Sequence, residues 1–229
     1  MDDTLTLSLS ARSSVLESQY FPPIELSKDK NYVLGLVELL TFNSIPNIDL
    51  HNNKFYIVDK EPIEIPPGSY EIEDIEKYLK KRLSADKIVL KLKPNNNTLR
   101  SIIKCSHSID FSPQDSLAHL LGFNREILKA DKQHTSKHPV RILKVNSLRV
   151  ECNITAGAYS NGDRVHTIHE FFPAVPPGFK IIEIPTQVIY LPITVKSINH
   201  LQIRIVDQDG NLVNFRKEII TVRLHIKSI

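Results

Sequence analysis

From Ile220 to Lys227, apolar and polar side chains alternate without a break. Ile220, Val222, Leu224 and Ile226 fall on one side; Thr221, Arg223, His225 and Lys227 fall on the other. A period of two sends successive side chains to opposite faces of an extended chain. The segment therefore specifies a strand with one face built for a core and one for water or a polar partner.

Fourteen prolines and few long helical periods divide the remainder into short, firmly punctuated strands. Strands are expected at 31–42, 54–59, 140–145, 147–156, 165–172, 180–185, 187–195, 201–207 and 219–226. A further hairpin is expected over 87–105, with Pro94 to Thr98 as its connection. Asp209-Gly210, inside "DQDGN", supplies a tight turn. That stretch lacks the third acidic ligand and the distal glutamate of an EF-hand.

Two helices interrupt this order. In 70–83, Ile72, Ile75, Leu79 and Leu83 recur at helical spacing, with acids early and lysines late to suit the macrodipole. In 112–124, Ser112 reads as a cap, Pro113 as a first-turn residue and Gly122 as a stop. Both are expected to pack over a sheet end. Pro-Pro-Gly occurs at 66–68 and 176–178, which reads as repeated turn chemistry and not as a duplicated domain.

A chain of 229 residues can bury a substantial core. The formal charge of +3 is too small to mark a strong nucleic-acid binder. No apolar run has the length of a membrane span, and "MDDTLTLSLS" lacks the basic start and apolar core of a signal peptide, so export by that route is not expected. Cys105 and Cys152 read as reduced, buried thiols.

The densest cluster of chemically capable residues is "RVHTIHEFFPAVPPGF" (164–179). On a helix, His166, His169 and Glu170 would share a face and could grip a metal. Asn161-Gly162 before them, Pro173 after them and the β-branched Val165, Thr167 and Ile168 argue for a strand instead. In a strand, His166, Ile168, Glu170 and Phe172 point one way, and Val165, Thr167, His169 and Phe171 the other. No HExxH, paired CxxC, Walker loop, GxGxxG or GxSxG pattern occurs. Cys105 lies two residues from His107, but no third group to activate a nucleophile is evident. No catalytic residue, metal or cofactor is assigned, and the chain reads as a structural protein and not an enzyme.

The C-terminal half, "NGDRVHTIHEFFPAVPPGFKIIEIPTQVIYLPI" followed by "IRIVDQDGNLVNFRKEIITVRLHIK", together with the "LAHLLGF" helix, resembles the penton-like minor capsid protein of Maverick/Polinton elements and adintoviruses. The likeness runs from about residue 20 to the end and is densest at 161–227. It implies an all-β fold: a single jelly-roll sandwich of two four-stranded antiparallel sheets, occupying 21–229 after an N-terminal arm over 1–20. It also implies a homopentamer at icosahedral vertices, surrounded by a double jelly-roll major capsid protein. The implied place is the virion capsid, with synthesis in host cytoplasm and assembly possible in the nucleus.

A five-fold ring needs a heterologous interface, in which one flank meets the opposite flank of a neighbour. The candidate contacts are Gln202 and Arg204 on one strand and Arg223, His225 and Lys227 on the last strand. Phe171 and Phe172 join them, since adjacent strand residues cannot both enter one core. The first 30 residues carry five acids against three bases, so they cannot serve as a phosphate-neutralising arm. Their early alternation allows two readings: a strand added to a neighbouring subunit's sheet edge, or a disordered tail. Alternatives are a β-sandwich binding module of lectin-like or cytokine-like type, or a capsid derivative taken over by a host. The absence of tryptophan and of a leader argues against the first.

Overall fold

The computed structural model describes residues 4–142 and 145–229. Three strands open the chain: β1 (Thr4–Ala11), β2 (Val15–Glu25) and β3 (Tyr32–Phe42). A second compact unit, Pro46–Lys144, then interrupts the first, which resumes at Val145 and runs to Ile229. The interruption holds β4 (Lys54–Phe55), β5 (Ile63–Glu64), α1 (Ile72–Leu83), β6 (Leu90–Asn95) and β7 (Arg100–Cys105). After these come β8 (Ile109–Asp110), α2 (Ala118–Leu121), β9 (Ile127–Leu128) and β10 (Gln133–Thr135). The first unit continues with β11 (Leu148–Cys152), β12 (Ala158–Ser160), β13 (Asp163–Val165) and β14 (Thr167–Phe171). It ends with β15 (Lys180–Glu183), β16 (Leu191–Pro192), β17 (Ser197–Val206) and β18 (Ile220–Ser228).

The first unit is a jelly roll. One sheet has the order β1-β18-β3-β15, with β16 also on β3; the other has the order β14-β11-β17-β2. The antiparallel pairs β1·β18, β2·β17, β3·β15 and β11·β14 unroll into one long hairpin whose outgoing half is β1, β2, β3, β11. Wrapping that hairpin on itself gives two facing sheets, the jelly roll that the resemblance implies, with β16 as a fifth strand on the first of them. Their inward rows form one core, among them Leu16, Leu34, Leu36, Val150, Ile203 and Leu224, all at or below 1 % exposure. Each such side chain contributes about 1.5–3 kcal/mol by burial.

β18 alternates as its sequence requires: Ile220, Val222, Leu224 and Ile226 are buried, while Thr221, Arg223, His225 and Lys227 face outward. Residues 4–11 do not form a separate arm. Their own alternation matches that of β18, so β1 closes this chain's sheet in register from Thr4↔Lys227 to Ala11↔Ile220, and Leu7 and Leu9 enter the core.

Two other expectations change in detail. Residues 165–172 are extended, but strict alternation fails. The strand breaks at His166, and the β11·β14 register jumps from Val150↔His169 to Glu151↔Thr167, leaving Ile168 as a bulge. Ile168 and Phe171 consequently both turn into the core, and Glu170 points out. At 187–195, only Leu191–Pro192 pairs with β3. The preceding residues instead cross the outer face of the sheet above Gly35. A Cβ at position 35 would lie 2.4 Å from the Val188 side chain and 2.9 Å from the Ile189 carbonyl oxygen, so only glycine fits beneath them.

The inserted unit has its own core. Ile72, Ile75, Leu79 and Leu83 of α1 are buried, as their spacing predicts. The Asp74 carboxylate accepts from the Glu71 N–H at the helix start. Leu90 and Leu92 of β6 and Ile103 and Cys105 of β7 supply sheet residues to the same cluster. Phe111 stacks on Phe123 at 5.2 Å and meets Phe55 edge-on at 6.0 Å. The second helix is shorter than expected. Pro113–Asp115 is a turn, Ser116 bonds the Phe111 carbonyl, and the helical turn begins at Ala118 and ends at left-handed Gly122. Of the strand expected at 140–145, residues 140–142 are not in a ladder, and 143 and 144 lie outside the described residues.

Candidate subunit-contact surfaces

Because both sheets turn their inward rows into one core, their outward rows occupy opposite faces of the sandwich. The structure divides the polar candidate residues between these two faces. On the β18 side, Arg223 pairs with Glu38 at 3.4 Å. His225 bonds Thr4 through Nε2 and Tyr190 through Nδ1, the latter at 2.8 Å. Lys227 Nζ sits 4.0 Å above the centre of the Tyr190 ring. Tyr190 is delivered there by the segment that crosses Gly35. On the other face, Gln202 donates to Glu17 and Arg204 to Glu151 at 3.1 Å. Each of the five therefore has a partner within the chain. Partly exposed pairs of this kind are worth no more than about 1 kcal/mol each.

The two phenylalanines separate cleanly. Phe171 is 9 % exposed, belongs to the core and stacks on His169 at 5.9 Å, which removes it from the contact surface. Phe172 is 57 % exposed.

His166, His169 and Glu170 do not converge. His166 Nδ1 bonds the Thr155 carbonyl at 2.8 Å, and Glu170 accepts from Ser147 at 2.6 Å. His169 Nε2 meets Glu183 at 2.8 Å. This last contact joins β14 of one sheet to β15 of the other, closing the margin of the roll where both sheets end. Among the described residues, no group of three or more His, Cys, Asp or Glu side chains is placed to hold a metal ion.

Both cysteines are buried and free. Burial pushes the Cys152 thiol up to about 11 and raises the Cys105 thiol as well. The Cys105 sulfur faces the backbone N–H of His107, while the His107 ring engages Ser106, so this pair lacks the arrangement of an activated nucleophile.

Two features escaped the sequence reading. Arg149 of β11, 9 % exposed, donates from Nε and Nη2 to the Asp207 carbonyl at 3.2 and 3.0 Å, and from Nη2 to that of Gln208 at 3.2 Å. It pins the "DQDGN" turn, where Asp207 Oδ1 also accepts from the N–H groups of Asp209 and Asn211. The second is an apolar patch on the outer face of β3 and β15. The register sets Ile182 opposite Leu40 and Lys180 opposite Phe42, so Ile182 and Phe42 are diagonal neighbours; Ile184 follows two residues on. Ile182 and Ile184 are 58 % and 60 % exposed, and Phe42 is 43 % exposed. The signal lay in "ELLTF" and "KIIEI", whose apolar runs are too dense for a strand with one wet face.

The strand order thus defines a jelly-roll fold, and the candidate contact residues lie on the outer faces and margins of its two sheets. The fold is similar to that of the selenomethionine-labelled mavirus penton protein in its crystal structure. That alignment covers 99 % of this chain and 99 % of that one, at a TM-score of 0.51 and 13 % identity. The D2–D3 domains of the flagellar cap protein FliD from Escherichia coli align at a TM-score of 0.19 and 10 % identity, over 90 % of this chain and 100 % of that one, too weakly to bear on the fold. No family model matches the chain, and no curated protein matches it in sequence. Among the described residues, no helix is long and apolar enough to cross a membrane.

Proposed function

We propose that this chain is a penton-like minor capsid protein of a Maverick/Polinton-type virus or an endogenous element derived from one. The observation that carries this reading is the end-to-end fold likeness to the mavirus penton protein, 99 % of both chains, which takes in the insert as well as the roll. The residue-level resemblance at 161–227 supports it independently. In this role five copies close a ring at an icosahedral vertex, and double jelly-roll major capsid subunits surround the ring.

The surface described above suits that task. A ring requires two different contact areas on each copy, and a sandwich offers them at its opposite margins and faces. Phe172, which is exposed, and the outward rows of β17 and β18 are the candidates for such contacts. Gln202, Arg204, Arg223, His225 and Lys227 are already paired internally, so they orient the contact more than they strengthen it. No catalytic step is assigned to any residue.

Multi-angle light scattering on the purified full chain tests the reading. A mass of five times the 26.1 kDa chain is expected. A chain that stays monomeric over a wide concentration range counts against it.

A further inference from the structure

β2 is an edge strand with an irregular middle. Gln19 pairs with His200 and Ile24 with Ile198, so Tyr20, Phe21, Pro22 and Pro23 together face the single residue Asn199. Extra residues on one strand of a pair push outward as a bulge and re-aim its side chains. Here Tyr20 and Ile24 tuck against the core, and Phe21 is 100 % exposed. The two prolines lack N–H groups, so this stretch of edge is poorly equipped to pair with another strand. What it offers is one bare aromatic side chain.

The opposite margin of the same sandwich carries the counterpart. β15 pairs only with β3 among the described residues, and its outer face presents Ile182 and Ile184 beside Phe42. Charge runs the same way: from Ser13 to Leu26 the chain has Glu17 and Glu25 and no lysine or arginine, whereas Lys180 lies exposed opposite Phe42. An aromatic knob on one margin and an apolar seat on the other cannot meet within one copy. They meet when copies associate head to tail, the arrangement that closes a ring.

We infer that Phe21 of one copy seats on the Phe42–Ile182–Ile184 patch of the next copy, as the central anchor of a heterologous interface. The inference rests on the vertex reading above and adds to it the two surfaces in contact. A bare aromatic side chain inserted into an apolar seat, with acidic and basic groups at its rim, is the arrangement of an interface hot spot, where truncation weakens association roughly thirty-fold or more. Glu17 and Glu25 then lie along the rim toward Lys180 and set the register.

The experiment uses the full chain in three forms: unaltered, Phe21→Glu and Ile182→Glu. Both positions are exposed, so both variants are expected to unfold at the unaltered midpoint by circular dichroism. In sedimentation velocity, the unaltered chain is expected as a ring, and each variant as monomer at concentrations where the ring is otherwise complete. A second arm mixes Phe21→Cys chains with Ile182→Cys chains under mild oxidation. Because Cys105 and Cys152 are buried, the introduced thiols are the accessible ones. Covalent dimers are expected from the mixture and not from either variant alone. Dimers from Phe21→Cys alone would show a two-fold contact and overturn the inference. A ring that survives both glutamates without cross-linking would overturn this interface and leave the vertex reading standing. An unaltered chain that is monomeric throughout would overturn both.

Discussion

The roll and the insert bury their apolar residues by opposite routes. In the roll, partners are close in space and far apart in sequence: Thr4 bonds His225 across 221 positions, and β1 lies along β18 for its whole length. In the insert, β6 turns directly into β7 through Asn95–Arg100, and α1 from the preceding segment packs on β6. A core assembled from local contacts forms early and at little cost in loop closure, whereas one assembled from the two chain ends must bring those ends together first. The comparison teaches that the chain's stability is divided between two cores with different dependence on the termini, and each can be challenged separately.

The sharpest challenge is removal of residues 1–20. It deletes β1 and half of β2 and takes Leu7, Leu9 and Leu16 out of the core. Each such loss costs about 2–5 kcal/mol even as a truncation to alanine, against a total stability of about 5–15 kcal/mol for a typical domain. The roll is expected to lose its cooperative transition in near-ultraviolet circular dichroism, while the far-ultraviolet helical signal from α1 persists. Survival of the roll would show that β1 is dispensable.

A smaller effect, confined to the insert, is expected from Leu79→Ala. Leu79 is fully buried on α1, and its truncation is expected to cost about 2–5 kcal/mol. Amide exchange should accelerate in α1 and β6 and remain unchanged in β17 and β18. Equal acceleration in both would show that the two cores unfold as one.

The smallest effect concerns pH and the thiol in the roll. Cys152 has its pKa raised by burial from 9.0 to about 11. The unfolded chain therefore gives up this proton first as pH rises. The stability linked to Cys152 is fully present below pH 9 and is lost as pH climbs through about 11, a change of roughly 2–3 kcal/mol. From pH 8 to pH 11, the unfolding free energy obtained from urea titrations is expected to fall further for the unaltered chain than for Cys152→Ala, by that difference.

What the sequence disclosed follows the same division. α1, its four buried positions and the 87–105 hairpin were legible because their patterns are complete within a few turns of chain. β18 was legible because its alternation is unbroken. The partner of β18 was not, since nothing within residues 4–11 says that their edge belongs to a strand beginning at Ile220. Bulges were equally hidden: the register slip at Ile168 depends on β11 across the sheet, and alternation alone assigns that residue to the wrong face. Of the candidate contacts, the adjacency of Phe171 and Phe172 said that one of them must leave the core but not which, and the charged row carried no sign of the intramolecular partners it has. The apolar patch at Ile182 needed the β3·β15 register to become visible, because either run by itself reads as buried.

Gly35 shows how tightly one wall of the roll is shut. Its constraint comes from the main chain and valine that lie across it, not from an unusual backbone twist. Even a methyl group there would lift the strap that holds Tyr190 over Lys227 and His225. A single missing carbon thus governs the shape of this outer surface, and any variant of the chain that kept the strap in place would have to keep that vacancy too.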